Sequence, residues 1–233
     1  LTYEDSDGTT KPCHQTTFGM SERLLGAVVG MHGDDNGLVM PPAIAPIQIV
    51  IMPVAQHVDQ KVITTVQELS EELHSVGFRV HVDDRDMRPG AKHYDWEIKG
   101  VPLRVEIGPR DLESSSCLVS IRTGGKEQLP LDGFSNSAQK LLDSVSSKLR
   151  SNAQTVADAM VHPFPGLTDA NADTVATKHP IEDGRVYELA FDGSDSDAEI
   201  LEKSTGLTLL GEADTPFDEP VPCAVTGKPT TRR

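Results

Sequence analysis

The middle of the sequence predicts an α/β fold, a mixed and mostly parallel five-stranded sheet covered by helices, and three observations carry that expectation. Short apolar runs at residues 47–52, 78–82, 101–107, 117–121 and near 127–131 have the length and composition of strands. Between the first two, Val58, Val62, Val66, Leu69, Leu73 and Val76 recur at helical spacing and define one apolar face. After the last, residues 136–160 repeat the pattern, with Leu141, Leu142, Val145, Leu149, Val156 and Met160 on the inward stripe of a closing helix.

Taken in order, the chain opens on a turn, Asp5-Ser-Asp-Gly8, followed by Pro12-Cys-His-Gln-Thr-Thr17, which reads as a strand entering a helix. Ser21 is the expected N-cap, and Leu24, Leu25, Val28 and Val29 follow at helical spacing until Gly33-Asp-Asp-Asn-Gly37 stops the helix. A short strand ending in prolines, Leu38-Val-Met-Pro-Pro42, leads into the sheet region. There Gly77 caps the first helix, and a short helix at 91–99 separates the second and third strands. Beyond Pro163 the chain turns polar, with Pro165-Gly166 and Asn171-Ala-Asp173 as linker chemistry, so a boundary falls between about 162 and 182. A weak strand at 186–191, an acidic helix at 197–204 and a proline-rich end at 216–229 then predict a small α+β unit. The expected division is 1–45, 46–162 and 163–233.

Composition bounds the function. Thirty-six acidic against 21 basic residues in 233 give a net charge of −15, which argues against a simple phosphate-binding surface. Such acidity also suits a protein hydrated in concentrated salt, where the Debye length shrinks to roughly 3 Å at 1 M, and a salt-loving source is expected. Cys13, Cys117 and Cys223 are odd in number and far apart, which shows neither a disulfide framework nor a Cys-Xaa-Xaa-Cys site and fits a reducing cytosol. No apolar run reaches the ~18 residues of a membrane span, and no signal-peptide pattern opens the chain, so a cytoplasmic protein without membrane partners is expected. Because residue 1 is Leu and a hairpin turn follows at once, the chain is expected to begin inside a longer one.

Two stretches carry chemistry. Gln15-Thr-Thr-Phe-Gly-Met-Ser-Glu-Arg-Leu-Leu-Gly26 resembles motif 3 of class II aminoacyl-tRNA synthetases, a strand followed by a helix whose arginine faces ATP. Alone, Arg23 is an ordinary charge on a first helical turn. Its continuation, His32-Gly-Asp-Asp-Asn-Gly-Leu-Val-Met-Pro-Pro-Ala-Ile-Ala-Pro-Ile-Gln48, resembles the passage from catalytic to anticodon-binding domain in prolyl-tRNA synthetases of the archaeal and eukaryotic type. That resemblance makes 1–45 the end of an antiparallel class II catalytic domain, 46–162 the class II anticodon-binding domain and 163–233 a degenerate zinc-binding type. It implies a parent proline-tRNA ligase that forms prolyl-adenylate from proline and ATP with Mg2+, then transfers the prolyl group to tRNA(Pro). A planar guanidinium holding phosphate oxygens in two directions suits that chemistry better than an ammonium. By resemblance Arg23 is the catalytic cation, Gln15 and Thr16 share the ATP site with it, and Thr17 and Gly19 bound the proline pocket. The family's other ATP-clamping arginine and its dimer-forming motif lie upstream and are absent here, so the complete enzyme is expected to be a homodimer and this chain alone inactive.

The second stretch is Asp83-Asp-Arg-Asp86, Arg88-Pro-Gly90, Lys92 and Asp95-Trp-Glu-Ile-Lys-Gly-Val-Pro-Leu-Arg-Val-Glu-Ile-Gly-Pro-Arg-Asp111. Standing alone, a charge run such as 83–86 is a solvated strand end. As a whole the stretch resembles the anticodon-reading half of prolyl-tRNA synthetases. Proline codons begin with two cytosines, so every proline anticodon ends in two guanines. Guanine offers neighbouring N–H donors that a carboxylate accepts together, and O6 and N7 acceptors that suit a guanidinium. By resemblance Glu97 reads one guanine's donors, Arg104 and Arg110 supply cations, Asp111 accepts a second set of N–H groups, and Lys126 makes a further contact. His93 stands where the family often has an aromatic side chain, and imidazole can stack; Trp96 fits the core better than a base platform.

The family's zinc positions correspond to Asp192, Asp197, Cys223 and Thr226, a poor set for an ion that wants four Cys or His ligands, so no zinc is expected and Gly206-Leu-Thr-Leu-Leu-Gly211 must hold the unit by packing. Many members of the family end in a tyrosine that approaches the active site, whereas this chain stops at Arg232-Arg233, so either the tail is truncated or that contact is missing. A free-standing anticodon-domain accessory protein is the alternative, opposed by motif 3. Threonyl-, glycyl- or histidyl-tRNA synthetases share the architecture but not the set from Glu97 to Asp111, and a purely structural acidic protein uses none of these residues. The salt expectation has a direct measurement: the melting temperature should rise as KCl is raised into the molar range, and a flat or falling curve would refute it.

Overall fold

The computed structural model describes residues 1–54, 59–164, 167–171, 174–177 and 184–233, with only the backbone described at 167–171 and 174–177. Val58, Pro165-Gly166, Ala172 and Asp173 lie outside the described residues. The chain divides into two compact units, Leu1–Ser151 and Asn152–Arg233.

The first unit opens with the hairpin that the Asp5–Gly8 turn predicts: β1 (Thr2–Glu4) pairs antiparallel with β2 (Thr10–Pro12). The expected strand does not continue to Thr17: the Cys13 N–H still donates to the Leu1 carbonyl, but the β1–β2 ladder ends at Pro12 and residues 14–17 form no strand. The helix α1 (Arg23–His32) follows and ends at Gly33 as expected. Its N-cap is Glu22, not Ser21, whose carbonyl instead accepts the Leu24 N–H. Leu24, Leu25 and Val29 are exposed, and no residue of α1 is buried within this chain.

Five strands build the sheet: β3 (Ile49–Pro53), β4 (Val80–Val82), β5 (Leu103–Ile107), β6 (Ser116–Ile121) and β7 (Lys126–Pro130), ordered β4-β3-β5-β6-β7. β3 runs parallel to β4 and β5, whereas β5–β6 and β6–β7 are antiparallel. The sheet is therefore mixed as expected, with the two kinds of ladder in equal number. Parallel neighbours need a crossover helix, and the connections from β5 onward are too short for one. The first crossover is α2 (Gln60–Ser75), the second α3 (Pro89–Ile98); the short α4 (Pro109–Glu113), unforeseen in the sequence, only turns the chain between β5 and β6.

Alternation along the strands sorts the core. Ile49, Ile51, Leu103, Val105, Ile107, Cys117 and Val119 face α2 and α5 (Phe134–Met160), meeting Val62, Val66, Leu69, Leu73, Leu141 and Leu142. Val76 is exposed, because α2 ends one residue earlier and Gly77 takes the positive φ that turns the chain. Val156 and Met160 are exposed too, since the last buried position of α5 is Leu149. On the opposite face Val50 and Met52 pack with Trp96 of α3 and with Val101.

Residues 38–40 form no strand; instead the Leu38 and Met40 N–H groups donate to the Ile98 and Gly100 carbonyls. The approach is close enough to require glycine on both sides. A Cβ on Gly37 (φ 127°) would sit 2.6 Å from Ile98 Cα, and one on Gly100 (φ 70°) would sit 2.5 Å from the Leu38 carbonyl oxygen. Arg122, buried, bonds the same strap: its guanidinium donates to both Asp34 carboxylate oxygens (2.8 and 2.5 Å) and to the Leu38 and Glu97 carbonyls (3.0 and 3.2 Å). That guanidinium holds the Asp34 carboxyl below its usual range.

In the second unit β8 (Val161–Pro163) pairs parallel with β11 (Val186–Glu188), β9 (Leu167–Asn171) antiparallel with β10 (Thr174–Thr177), and β12 (Val221–Pro222) antiparallel with β13 (Pro229–Thr230). The acidic helix is α6 (Asp195–Thr205), capped by Ser194 and closed by Gly206 in the left-handed conformation. Ala190, Leu201 and Cys223 are buried here, whereas Leu210 of the expected packing run is exposed. Gly100→Ala is expected to lower unfolding free energy by about 2–4 kcal/mol, combining left-handed strain with overpacking, as measured by urea denaturation.

Candidate nucleic-acid interface

A buried aspartate positions the candidate site. Asp83 follows β4 and is solvent-inaccessible, not a solvated strand end as its charge run suggests. Arg85 donates to both of its carboxylate oxygens at 2.8 Å, and Trp96 Nε1 donates at 2.6 Å. The buried Lys92 ammonium donates to the Asp83 carbonyl at 2.9 Å. These bonds, Arg85's above all, hold the Asp83 carboxyl well below its usual range against the opposing effect of burial. Lys92 and Trp96 are four residues apart, so both reach down from one face of α3 and fasten that helix to the sheet. Trp96 is accordingly core, 4% exposed, with Lys99 Nζ 4.3 Å above its ring.

The next face of α3 carries His93 and Glu97, again four apart, and both meet β5. Glu97 Oε2 lies 3.6 Å from Arg104 Nη1, which also donates to the His93 carbonyl at 3.4 Å. His93 Nε2 lies 3.2 Å from Glu106 Oε1, a buried atom without a well-aligned hydrogen bond. Arg104 and Glu106 project from the face of β5 opposite the α2–α5 core, since Leu103, Val105 and Ile107 fill that core.

Strand register extends the face. Arg104 stands opposite Ser120, which stands opposite Lys126; Glu106 stands opposite Leu118, which stands opposite Gln128. Directly opposed residues share a face, so the two rows run across β5, β6 and β7 on one side. Asp111 joins them from α4: its Oδ2 accepts the Gly108 N–H at 2.9 Å, and its Oδ1 accepts from Gln128 Nε2 at 3.1 Å. Arg110, beside it, is exposed. The structure therefore brings His93, Glu97, Arg104, Asp111 and Lys126 to one side of the sheet. Sequence reasoning missed Glu106 and Gln128, although each sits two residues from a predicted site residue and strand alternation places both on its face. Arg122 gave no signal, because its partners Glu97, Leu38 and Asp34 are 25, 84 and 88 residues away.

The motif-3 residues are not gathered in this way. Gln15, Thr16, Thr17 and Gly19 lie on an exposed segment that is neither helix nor strand, with Phe18 93% exposed among them, and Arg23 is exposed at the first position of α1. In the second unit the Cys223 sulfur accepts the Asp192 N–H at 3.3 Å and the Thr226 N–H at 3.5 Å. Burial raises that thiol's pKa, but hydrogen bonds from Thr226, Asp192 and Val225 outweigh it and leave the thiol below its ordinary value. Asp197 caps α6 through Ser194, and Asp192 pairs with Arg232 at 3.2 Å. Among the described residues, no three His, Cys, Asp or Glu side chains group where they could hold a metal. Among them, too, no helix is long and apolar enough to cross a membrane.

Residues 48–141 match the family described as "Anticodon binding domain". The chain is 39% identical over 231 residues to a proline–tRNA ligase of Thermococcus kodakarensis, covering 98% of this chain and 46% of that protein. It is 38% identical over 234 residues to one of Methanocorpusculum labreanum, covering 98% and 47%. Among solved structures, the Giardia lamblia prolyl-tRNA synthetase in complex with prolyl-adenylate superposes with a TM-score of 0.78 at 28% identity, covering 99% of this chain and 51% of that one. The Cryptosporidium parvum enzyme complexed with L-proline and AMP gives 0.64 at 34% identity, covering 70% and 36%. The chain thus spans about half the length of the curated relatives it matches.

Asp83→Asn should lower unfolding free energy by about 3–5 kcal/mol, because it leaves the Lys92 ammonium buried beside a neutral amide, and urea denaturation measures it. The Asp83 carboxyl is depressed in the folded state, so its contribution is complete above the ordinary carboxylate value of 3.8. It is lost as pH falls through the lower folded-state value, and Asp83→Asn should flatten that part of the acid stability profile.

Proposed function

The chain belongs to the prolyl-tRNA synthetase family, and from that premise we propose that it is the anticodon-recognising part of a proline-tRNA ligase. The parent enzyme joins proline and ATP, with Mg2+, as prolyl-adenylate and transfers the prolyl group to tRNA(Pro). Residues 46–162 read the anticodon, 1–45 complete the catalytic domain, and 163–233 form a small appended domain without zinc. The observation that carries this reading is the pairing of Glu97 with Arg104 on the sheet face shared by Lys126, beside Asp111. A carboxylate and a guanidinium 3.6 Å apart offer an acceptor and a fork of donors side by side, the complement of guanine's N–H groups and its O6. Arg104 is only 12% exposed, so packing limits the side chain's freedom before any RNA arrives. Arg110 supplies a further cation, and His93 offers an imidazole face for stacking.

In the nucleotide-binding part, Arg23 would hold ATP phosphate with Gln15 and Thr16, and Thr17 and Gly19 would bound the proline pocket. Relatives solved with AMP, an ATP analogue or prolyl-adenylate support ATP use by the parent. The parent is read as a cytoplasmic homodimer, and the net charge of −15 supports a salt-loving host. Glu97→Ala tests the assignment: binding to proline tRNA should weaken, and discrimination against a replaced anticodon guanine should relax by roughly 1–3 kcal/mol. Filter binding with native and altered anticodons measures both, and unchanged discrimination in the variant would remove Glu97 from the site.

A further inference from the structure

Between Lys126 and Asp111 the structure places a side chain to which the sequence assigned no role. Gln128 lies two residues after Lys126 on β7 and so shares its face. Its Nε2 donates to Asp111 Oδ1 at 3.1 Å and to Ser116 Oγ at 2.7 Å. A carboxylate can only accept, so the amino end of the carboxamide must face Asp111, and chemistry alone settles which way the amide points. Asp111 is itself held by the Gly108 N–H on its other oxygen. Both amide hydrogens are therefore engaged, while Oε1 takes no hydrogen bond among the described residues and Gln128 is exposed. A base arriving here would meet an acceptor fixed in advance on the face that Lys126 shares.

We propose that Gln128 reads an N–H of one anticodon guanine through its carboxamide oxygen, with Asp111 as the positioning residue that turns this oxygen toward the RNA. The inference rests on the anticodon reading above. Two neighbouring guanines need two acceptor–cation pairs. Glu97 with Arg104 supplies one, and Gln128 with Lys126 supplies the other, two strand spacings away, about 9.5 Å. Unpaired anticodon bases splayed out of their stack can reach sites that far apart. Holding the amide before the RNA arrives removes a rotamer cost at binding, and a free surface glutamine would keep that cost.

The test measures binding of the whole chain to proline tRNA transcripts carrying guanine or adenine at each of the two anticodon positions; adenine lacks both guanine donors on that edge. In Gln128→Met the guanine preference at one position should fall about tenfold, the worth of one hydrogen bond, and stay unchanged at the other. The double variant Asp111→Asn with Gln128→Glu should recover it, because the carboxamide introduced at position 111 can donate an N–H to the carboxylate introduced at position 128 and leave an acceptor facing the RNA. A purely structural role would weaken guanine and adenine transcripts alike. That result, or full preference at both positions in Gln128→Met, overturns the assignment of Gln128 while anticodon recognition stands. Equal binding of all transcripts by the unaltered chain overturns both.

Discussion

The buried carboxylate of Asp83 is the interaction on which the candidate interface depends. It gathers Arg85, Trp96 and, through its backbone, Lys92, so a single acidic residue at the end of β4 decides how α3 lies on the sheet. Burying an ion is costly unless every lone pair finds a donor, and here guanidinium, indole and ammonium groups are all at hand. Once α3 is fastened, its helical period carries His93 and Glu97 to β5 without further choice.

A second constraint acts at the C-terminal end of α3. Gly37 and Gly100 let two backbones approach where no side chain fits, and Arg122 bonds Asp34, Leu38 and Glu97 across the same junction. The helix that presents Glu97 is thus held along its length by Asp83, through Lys92 and Trp96, and at its end by the 34–40 strap. Both clamps are made by side chains other than those proposed to read the RNA, so the reading residues can vary chemically while α3 keeps its position.

The charge balance of the whole chain says little about this face. A net charge of −15 is spread over 233 residues, whereas Arg104 and Lys126 lie two strands apart on one face of the sheet. The acids among them are engaged: Glu97 with Arg104, Glu106 with His93, Asp111 with Gly108 and Gln128. At a range of a few ångströms such arrangement outweighs a diffuse field that salt screens within about 10 Å at 0.1 M.

By itself the sequence determined what depends on local period and local chemistry. Strand alternation, the apolar stripes of α2 and α5 and the turns at Gly33 and Gly77 all follow from contacts within a few residues, and the sequence shows them. The candidate residues on α3 and β5 were legible for a different reason, their resemblance to a known family. What spans the fold was not legible: Asp83 as an anchor, Arg122 reaching Asp34 across 88 positions, Gln128 turned by Asp111 and the even mixture of ladders. The outer ends of the apolar stripes, Val76, Val156 and Met160, failed because a helical period continues past the point where the core it faces has ended. Only the tertiary structure decides such matters, since desolvation and hydrogen-bond partnership are properties of what surrounds a side chain, and distant parts of the chain supply those surroundings.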